Sequence, residues 1–180
     1  MQHPEDSEIY YRKIIGGLMK RILITGSNGF IGENLIKSYL NKGYEVIGLD
    51  LGESKIMEGR YRHYKCNLTE EKMYLLYKEL APEIFIHAAG NANVAISVEN
   101  PELDFQRNVG ILYRVLSDIR QAEIKPKFIF LSSASVYGNP SKLPITEDSE
   151  VKPISPYGLH KKLCEDICFY YKDFYGMDIK

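Results

Sequence analysis

Cysteine is scarce in this chain of 180 residues: it has three, Cys66, Cys164 and Cys168. Three thiols make no disulfide framework. Cys164 and Cys168 sit one helical turn apart, with no nearby His/Cys pair to complete a metal site, so no metal is expected and the thiols read as reduced, in a cytoplasmic protein. Long apolar runs are also lacking, and no stretch approaches membrane-spanning length. The first residues, with His3, Glu5, Asp6 and Glu8, lack the basic start and apolar centre of a signal peptide. There is no excess of one charge. A net charge of −1 points to neither nucleic acid nor an acidic membrane surface as a partner. No internal repeat and no low-complexity tract is present, which removes repeat architectures. What is there, 44% hydrophobic and 26% charged residues, suits one domain with a real core.

The rest of the chain is organised around Arg21–Gly32, RILITGSNGFIG. Ile22, Leu23, Ile24 and Thr25 form a short apolar run of the kind a fully buried strand shows. They lead into Gly26, Gly29 and Gly32, which let the chain turn sharply into a helix. The first free N–H groups of that helix, with its dipole, favour an anion, and bare glycines let a pyrophosphate approach the backbone. Asp50 ends the next apolar run eighteen residues after Gly32, where a carboxylate would accept hydrogen bonds from an adenosine ribose. A glycine triplet alone is a weak signal. Placed after a strand, before a helix and ahead of an acid at this distance, it reads as a dinucleotide site.

The pattern then alternates. Strands are predicted at about 21–25, 45–49, 61–66, 84–87 and 128–132. Helices are predicted at 30–41, from Thr69-Glu70-Glu71 to Leu80, from Pro101 to about Gln121, and from Tyr157 to about Tyr175. Gly52 to Arg60 and 138–156 read as loops, the second rich in Pro, Ser and Gly. Strands separated by helices predict an α/β fold, a doubly wound parallel sheet with right-handed crossovers and helices on both faces.

Two further stretches carry candidate chemistry. Tyr157 and Lys161, in SPYGLHK, are four apart at a helix start and so share one face. A nearby ammonium favours the phenolate and lowers a phenol pKa, which makes a base of a tyrosine. Taken alone, the commoner reading of such a pair is a tyrosine packed by its ring beside a solvated lysine. Ser132-Ser133-Ala134-Ser135 follows the fifth strand, and ligands of open α/β sheets bind outside the carboxyl ends of strands.

Together, TGSNGFIG, SSASVYG and SPYGLHK resemble the extended short-chain dehydrogenase/reductase family, the NAD-dependent epimerase/dehydratases of nucleotide sugars with their Rossmann-like fold. The resemblance implies Ser133, Tyr157 and Lys161 as the catalytic set. Ser133 would bind the substrate hydroxyl, Tyr157 would serve as acid/base, and Lys161 would be its partner and contact the nicotinamide ribose. It implies Gly26, Asn28, Gly29, Phe30, Ile31, Gly32, Asp50, Asn67, Leu68, His87, Ala88, Ala89, Asn108, Tyr157 and Lys161 as cofactor-binding. His87 by itself would more often be a packed strand-end histidine. Asn67 stands where the family usually has Asp. Asp50 favours NAD over NADP because a carboxylate repels a 2′-phosphate, while Lys55 and Arg60 lie further on.

Related dehydratases carry a glutamate where this chain has Ala134 and Ser135, so removal of a proton from carbon lacks its base. The implied reaction is therefore 4-epimerase-like hydride transfer at a nucleotide sugar. A sugar-nucleotide reductase or dehydrogenase, or a truncated NAD-binding fragment without turnover, are the alternatives. The family's dimer implies a homodimer through helices near 101–121 and 157–175, with Cys168, Phe169 and Tyr171 as candidate surface residues.

The likeness runs from Met19 to the end of the chain. Residues 1–18 are expected to be a misassigned leader or a loosely packed extension, since Ile15–Met19 also back-translates to a ribosome-binding sequence ahead of a start codon. Residues 175–180 read as the lead-in to a sixth strand, with most of the family's substrate domain missing and a sheet edge left uncovered.

Overall fold

The computed structural model describes residues 20–57 and 59–180. The expectations for residues 1–18 and for a start at Met19 fall outside them. Strands β1 (Arg21–Thr25), β2 (Glu45–Asp50), β3 (Tyr61–Lys65), β4 (Ile84–His87) and β5 (Lys127–Phe130) form one sheet in the order β3-β2-β1-β4-β5. Every pairing is parallel; Ile22, for example, faces Val46 on one side and Ile84 on the other. The order reverses direction between β1 and β4, and it is there that an open α/β sheet leaves a crevice at its carboxyl end.

The helices are α1 (Phe30–Asn41), α2 (Met73–Leu80), α3 (Val94–Glu99), α4 (Pro101–Phe105), α5 (Ile111–Gln121) and α6 (Pro156–Tyr175). A π-helical turn, Gln106–Gly110, joins α4 to α5, and a 3₁₀ turn, Ala134–Tyr137, follows β5. The alternation of β1 decides which helix covers which face. Ile22 and Ile24 pack with Ile36 and Leu40 of α1, whereas Leu23 points the other way, toward α2, α5 and α6. Both faces are thus closed. That second core holds Phe85 and Phe128 stacked at 5.4 Å, with the Tyr77 ring edge-on to Phe85.

Boundaries differ from the predicted ones where local chemistry intervenes. Residues 67–72 form a turn, and α2 begins only at Met73, because Asn67 Oδ1 accepts from Thr69 and Lys72 takes a left-handed conformation. Helix α3 has no counterpart among the predicted helices. Its cap is Asn93, whose Oδ1 accepts from Ile96 N, and Asn100 then caps α4 in the same way. The helix predicted over 101–121 is continuous, with the π turn widening it at Gln106–Gly110. β5 spans 127–130, not 128–132.

Residues 178–180 do not leave β5 bare. Asp178 and Lys180 exchange backbone hydrogen bonds with Phe128 and Phe130, which covers part of the edge expected to be open. On α6, Cys168 and Tyr171 point into the core at 6% and 3% exposure, so the helical period corrects their reading as surface residues. Phe169 does face solvent, with Tyr170 and Phe174 beside it. No helix among the described residues is long and apolar enough to cross a membrane.

Candidate active site

The main cavity, about 520 Å³, opens at the carboxyl ends of β1, β2 and β4. Gly26, Asn28 and Gly29 line it from the β1–α1 turn, and Asp50 from the end of β2. Asn67 and Leu68 follow β3, and Ala88 and Ala89 follow β4. Eight of the residues expected to bind a cofactor therefore share one wall-to-wall space.

The glycine turn is built by close approach. Gly26 takes φ +67°, and a Cβ there would lie 2.7 Å from Ala89 N. A Cβ on Gly32 would lie 2.2 Å from Gly26 O, so this glycine lets α1 start directly against the turn. Gly29 serves differently. Within 4 Å its Cβ would meet only Gly26 O, at 3.2 Å, so the glycine leaves bare backbone facing the cavity. Gly29 is also the N-cap of α1 and brings no side-chain cap, so the first N–H groups of that helix await an acceptor. Asp50 braces the turn, its Oδ2 accepting from Asn28 N at 3.0 Å and its Oδ1 from Gly52 N at 3.1 Å.

These features fit an adenosine diphosphate moiety: uncapped amides and bare glycine at one end, a carboxylate at the other. Asn67 also lines the cavity, its Oδ1 accepting from Thr69 N and Oγ1. Cys66 also lines the cavity, but burial, with Glu70 and Asp50 nearby, pushes its thiol up to about 11, so it stays protonated and inert.

Seven residues of the expected cofactor set are not among those lining this cavity: Gly32 packs against the turn, Tyr157 and Lys161 lie at the β5 end, and four others take other places. Phe30 and Ile31 turn their side chains to solvent, so only their backbone can face a ligand. His87 is 2% exposed and lies against Phe128 and Phe130, with Nδ1 held 2.9 Å from Thr25 Oγ1. Burial, with a further push from Lys161, lowers its pKa to about 3, so it is a neutral packing residue behind the site. Thr25 Oγ1 also accepts from Ala89 N, which ties His87 to the turn that lines the cavity. Asn108 is buried and donates from Nδ2 to Asp104.

Ser133, Tyr157 and Lys161 lie outside the cavity walls, at the β5 end of the sheet. The 3₁₀ turn puts Ser133 at its N-cap, its Oγ accepting from Ser135 N and Ser135 Oγ. That turn is locked onto the first turn of α6, because a Cβ on Gly158 would lie 2.6 Å from Ser135 O. Ser155 caps α6 by accepting from Gly158 N, and Tyr157 N donates to Ser97 Oγ of α3. The unexpected helix thus sets the angle at which Tyr157 enters. Lys161 is not solvated. Its Nζ donates to Leu131 O at 2.5 Å and sits 4.2 Å above the Phe130 ring. Burial lowers its pKa, an effect that outweighs the upward pull of Cys164, Cys168, Glu165 and Asp104.

Two features escape a reading of the sequence. Arg107 and Asn91 line the cavity. Asp104, fully buried, pairs with His160 Nδ1 at 2.6 Å and accepts from Asn91 Nδ2 at 2.7 Å. No spacing rule joins residues 91, 104 and 160; the sole signal is the position of Arg107 beside Asn108.

Comparison with known proteins agrees with this geometry. The family model described as NAD dependent epimerase/dehydratase family matches residues 22–180. The UDP-glucose 4-epimerase of Mycolicibacterium smegmatis is 32% identical over 166 residues, 88% of this chain and 53% of that protein. The crystal structure of the Brucella ovis UDP-glucose 4-epimerase in complex with NAD superposes with a TM-score of 0.83 at 30% identity, over 89% of this chain and 50% of that one. The Thermus thermophilus enzyme, also in complex with NAD, gives 0.80 at 30% identity over 88% and 53%. The chain spans about half the length of the curated relatives it matches. With the glycine turn, Asp50 and the Ser133, Tyr157 and Lys161 set in one Rossmann-like sheet, this chain belongs to the NAD dependent epimerase/dehydratase family.

Proposed function

We propose that the chain binds NAD in the cavity above β1, β2 and β4 and carries the chemistry of a nucleotide-sugar 4-epimerase. The observation that supports this most is the pairing of two built halves on one sheet edge: a glycine cradle with Asp50, and a serine turn locked onto the helix of Tyr157 and Lys161. In this reading Asp50 receives the adenosine ribose hydroxyls, and the bare backbone at Gly29 with the start of α1 receives the diphosphate. Bound NAD would supply a reversible acceptor for the hydride at the sugar C4. Ser133 Oγ orients the 4-hydroxyl, and the Tyr157 oxygen takes its proton and later returns it. Lys161, desolvated and fixed on Leu131 O, provides a positive charge one helical turn from Tyr157, and in this reading it contacts the nicotinamide ribose. The names of the relatives support a uridine-diphosphate hexose as the substrate class. Exposed Phe169, Tyr170 and Phe174 on α6 support self-association through that face.

The test is direct. Purified chain with NAD is offered UDP-glucose and UDP-galactose, interconversion is followed by chromatography, and sedimentation gives its state. Interconversion lost in Tyr157→Phe is the expected result. NAD binding without interconversion of any nucleotide sugar overturns the epimerase reading and leaves a binding domain. A monomer at all concentrations removes the dimer.

A further inference from the structure

Among the residues lining the main cavity, two carry formal charge: Asp50 and Arg107. Asp50 is already engaged by two backbone amides. Arg107 makes no ion pair among the described residues. It is held at the cavity by the backbone beneath it. Its residue lies on the π-helical turn, where the helix is widened by one residue, a feature that recurs at functional sites. The next residue, Asn108, anchors that turn inward by donating to both the main-chain and side-chain oxygens of Asp104. Gly90, after β4, is pressed against the same turn: a Cβ there would lie 2.7 Å from Asn108 Oδ1 and 3.8 Å from Arg107 O. A closely packed turn therefore sets Arg107 on the wall of the space that Gly26 and Gly29 also line.

We propose that Arg107 is a binding residue for the diphosphate of the dinucleotide, an addition to the glycine turn that rests on the reading of this cavity as a dinucleotide site. A planar guanidinium donates in parallel to two oxygens of a phosphate, and it matches charge that backbone amides meet only with partial dipoles. Adenine and ribose carry no charge for it to meet. The ligand class it selects is therefore a nucleoside diphosphate or larger, not a nucleoside.

The experiment measures dissociation constants of adenosine, ADP and NAD by calorimetry for the unaltered chain, Arg107→Met and Arg107→Lys. Methionine keeps the length and apolar stem of the side chain without its charge. A charge-assisted hydrogen bond at an exposed site predicts that Arg107→Met weakens ADP and NAD about tenfold at low salt, and adenosine not at all. Lysine restores part of the loss, and the difference narrows as salt is raised. Equal weakening of adenosine and ADP overturns the proposal in favour of a contact to the base, and unchanged affinity for all three reduces Arg107 to a solvated side chain. An unaltered chain that binds none of the three overturns the dinucleotide reading itself, and this inference with it, so the two failures are distinct.

Discussion

Removing the Asp104 carboxylate is expected to destabilise this domain more than any change at its surface. Asp104 is fully buried between α4 and α6 and has three side-chain partners: His160 Nδ1 at 2.6 Å, Asn91 Nδ2 at 2.7 Å and Asn108 Nδ2 at 3.2 Å. In Asp104→Ala, Asn108 keeps the main-chain oxygen of residue 104, at 3.1 Å. His160 and Asn91 lose their carboxylate acceptor. A buried donor left without a partner costs about 1–3 kcal/mol. Of the two only His160 is buried; Asn91 is half-exposed on the cavity wall, where water can replace the carboxylate, so the predicted loss is about 1–3 kcal/mol. Against a usual domain stability of about 5–15 kcal/mol that is a large fraction. With a urea slope of about 2 kcal/mol per molar, the midpoint falls by about 0.5–1.5 M. Asp104→Asn keeps the shape and one acceptor oxygen but turns an amide toward one donor, so its midpoint falls between those of the unaltered chain and the alanine variant. Urea unfolding followed by far-UV circular dichroism reads both. A midpoint within about 0.3 M of the unaltered chain, at unchanged slope, refutes the idea that the carboxylate satisfies buried donors.

Two more outcomes follow from the site. His87 is neutral when folded, with a pKa lowered to about 3 by burial, while the unfolded chain protonates it near its ordinary value. Its stabilising effect is complete above about pH 6.5 and declines by about 1.4 kcal/mol per pH unit as pH falls, because only the unfolded state takes up the proton. His87→Gln should flatten the fall in stability between about pH 6 and pH 5, measured by urea titration at each pH; an unchanged slope removes His87 as its cause. Gly26→Ala places a methyl 2.7 Å from Ala89 N at φ +67°. The turn must shift, so NAD affinity should fall by at least about tenfold, a loss of about 1.4 kcal/mol or more. Retained affinity by calorimetry would mean that the glycine turn does not hold the diphosphate.

The fold was legible because its signals are local. Apolar runs of four to six residues, glycines after the first and helical stretches between them define a parallel sheet, and the order of β1, β2, β3, β4 and β5 in the chain met few surprises. That Asp50, Gly26 and Gly29 share one cavity was legible for the same reason, since strand, turn and helix follow one another directly. The resemblance implied Ser133 and Tyr157 in one site, and in the structure the turns that carry them pack together, since a Cβ on Gly158 would lie 2.6 Å from Ser135 O.

What sequence by itself determined, then, is the alternation of elements and the glycine cradle, because hydrophobic period and backbone freedom act between near neighbours. Tertiary structure alone decided that His87 is a buried neutral ring and that Cys168 and Tyr171 face inward. It also decided that Lys161 is fixed on Leu131 O, and that Asp104 joins Asn91, Asn108 and His160. Those are consequences of burial and of meetings between distant segments. Period and spacing carry no record of which polar groups will find one another once water is excluded.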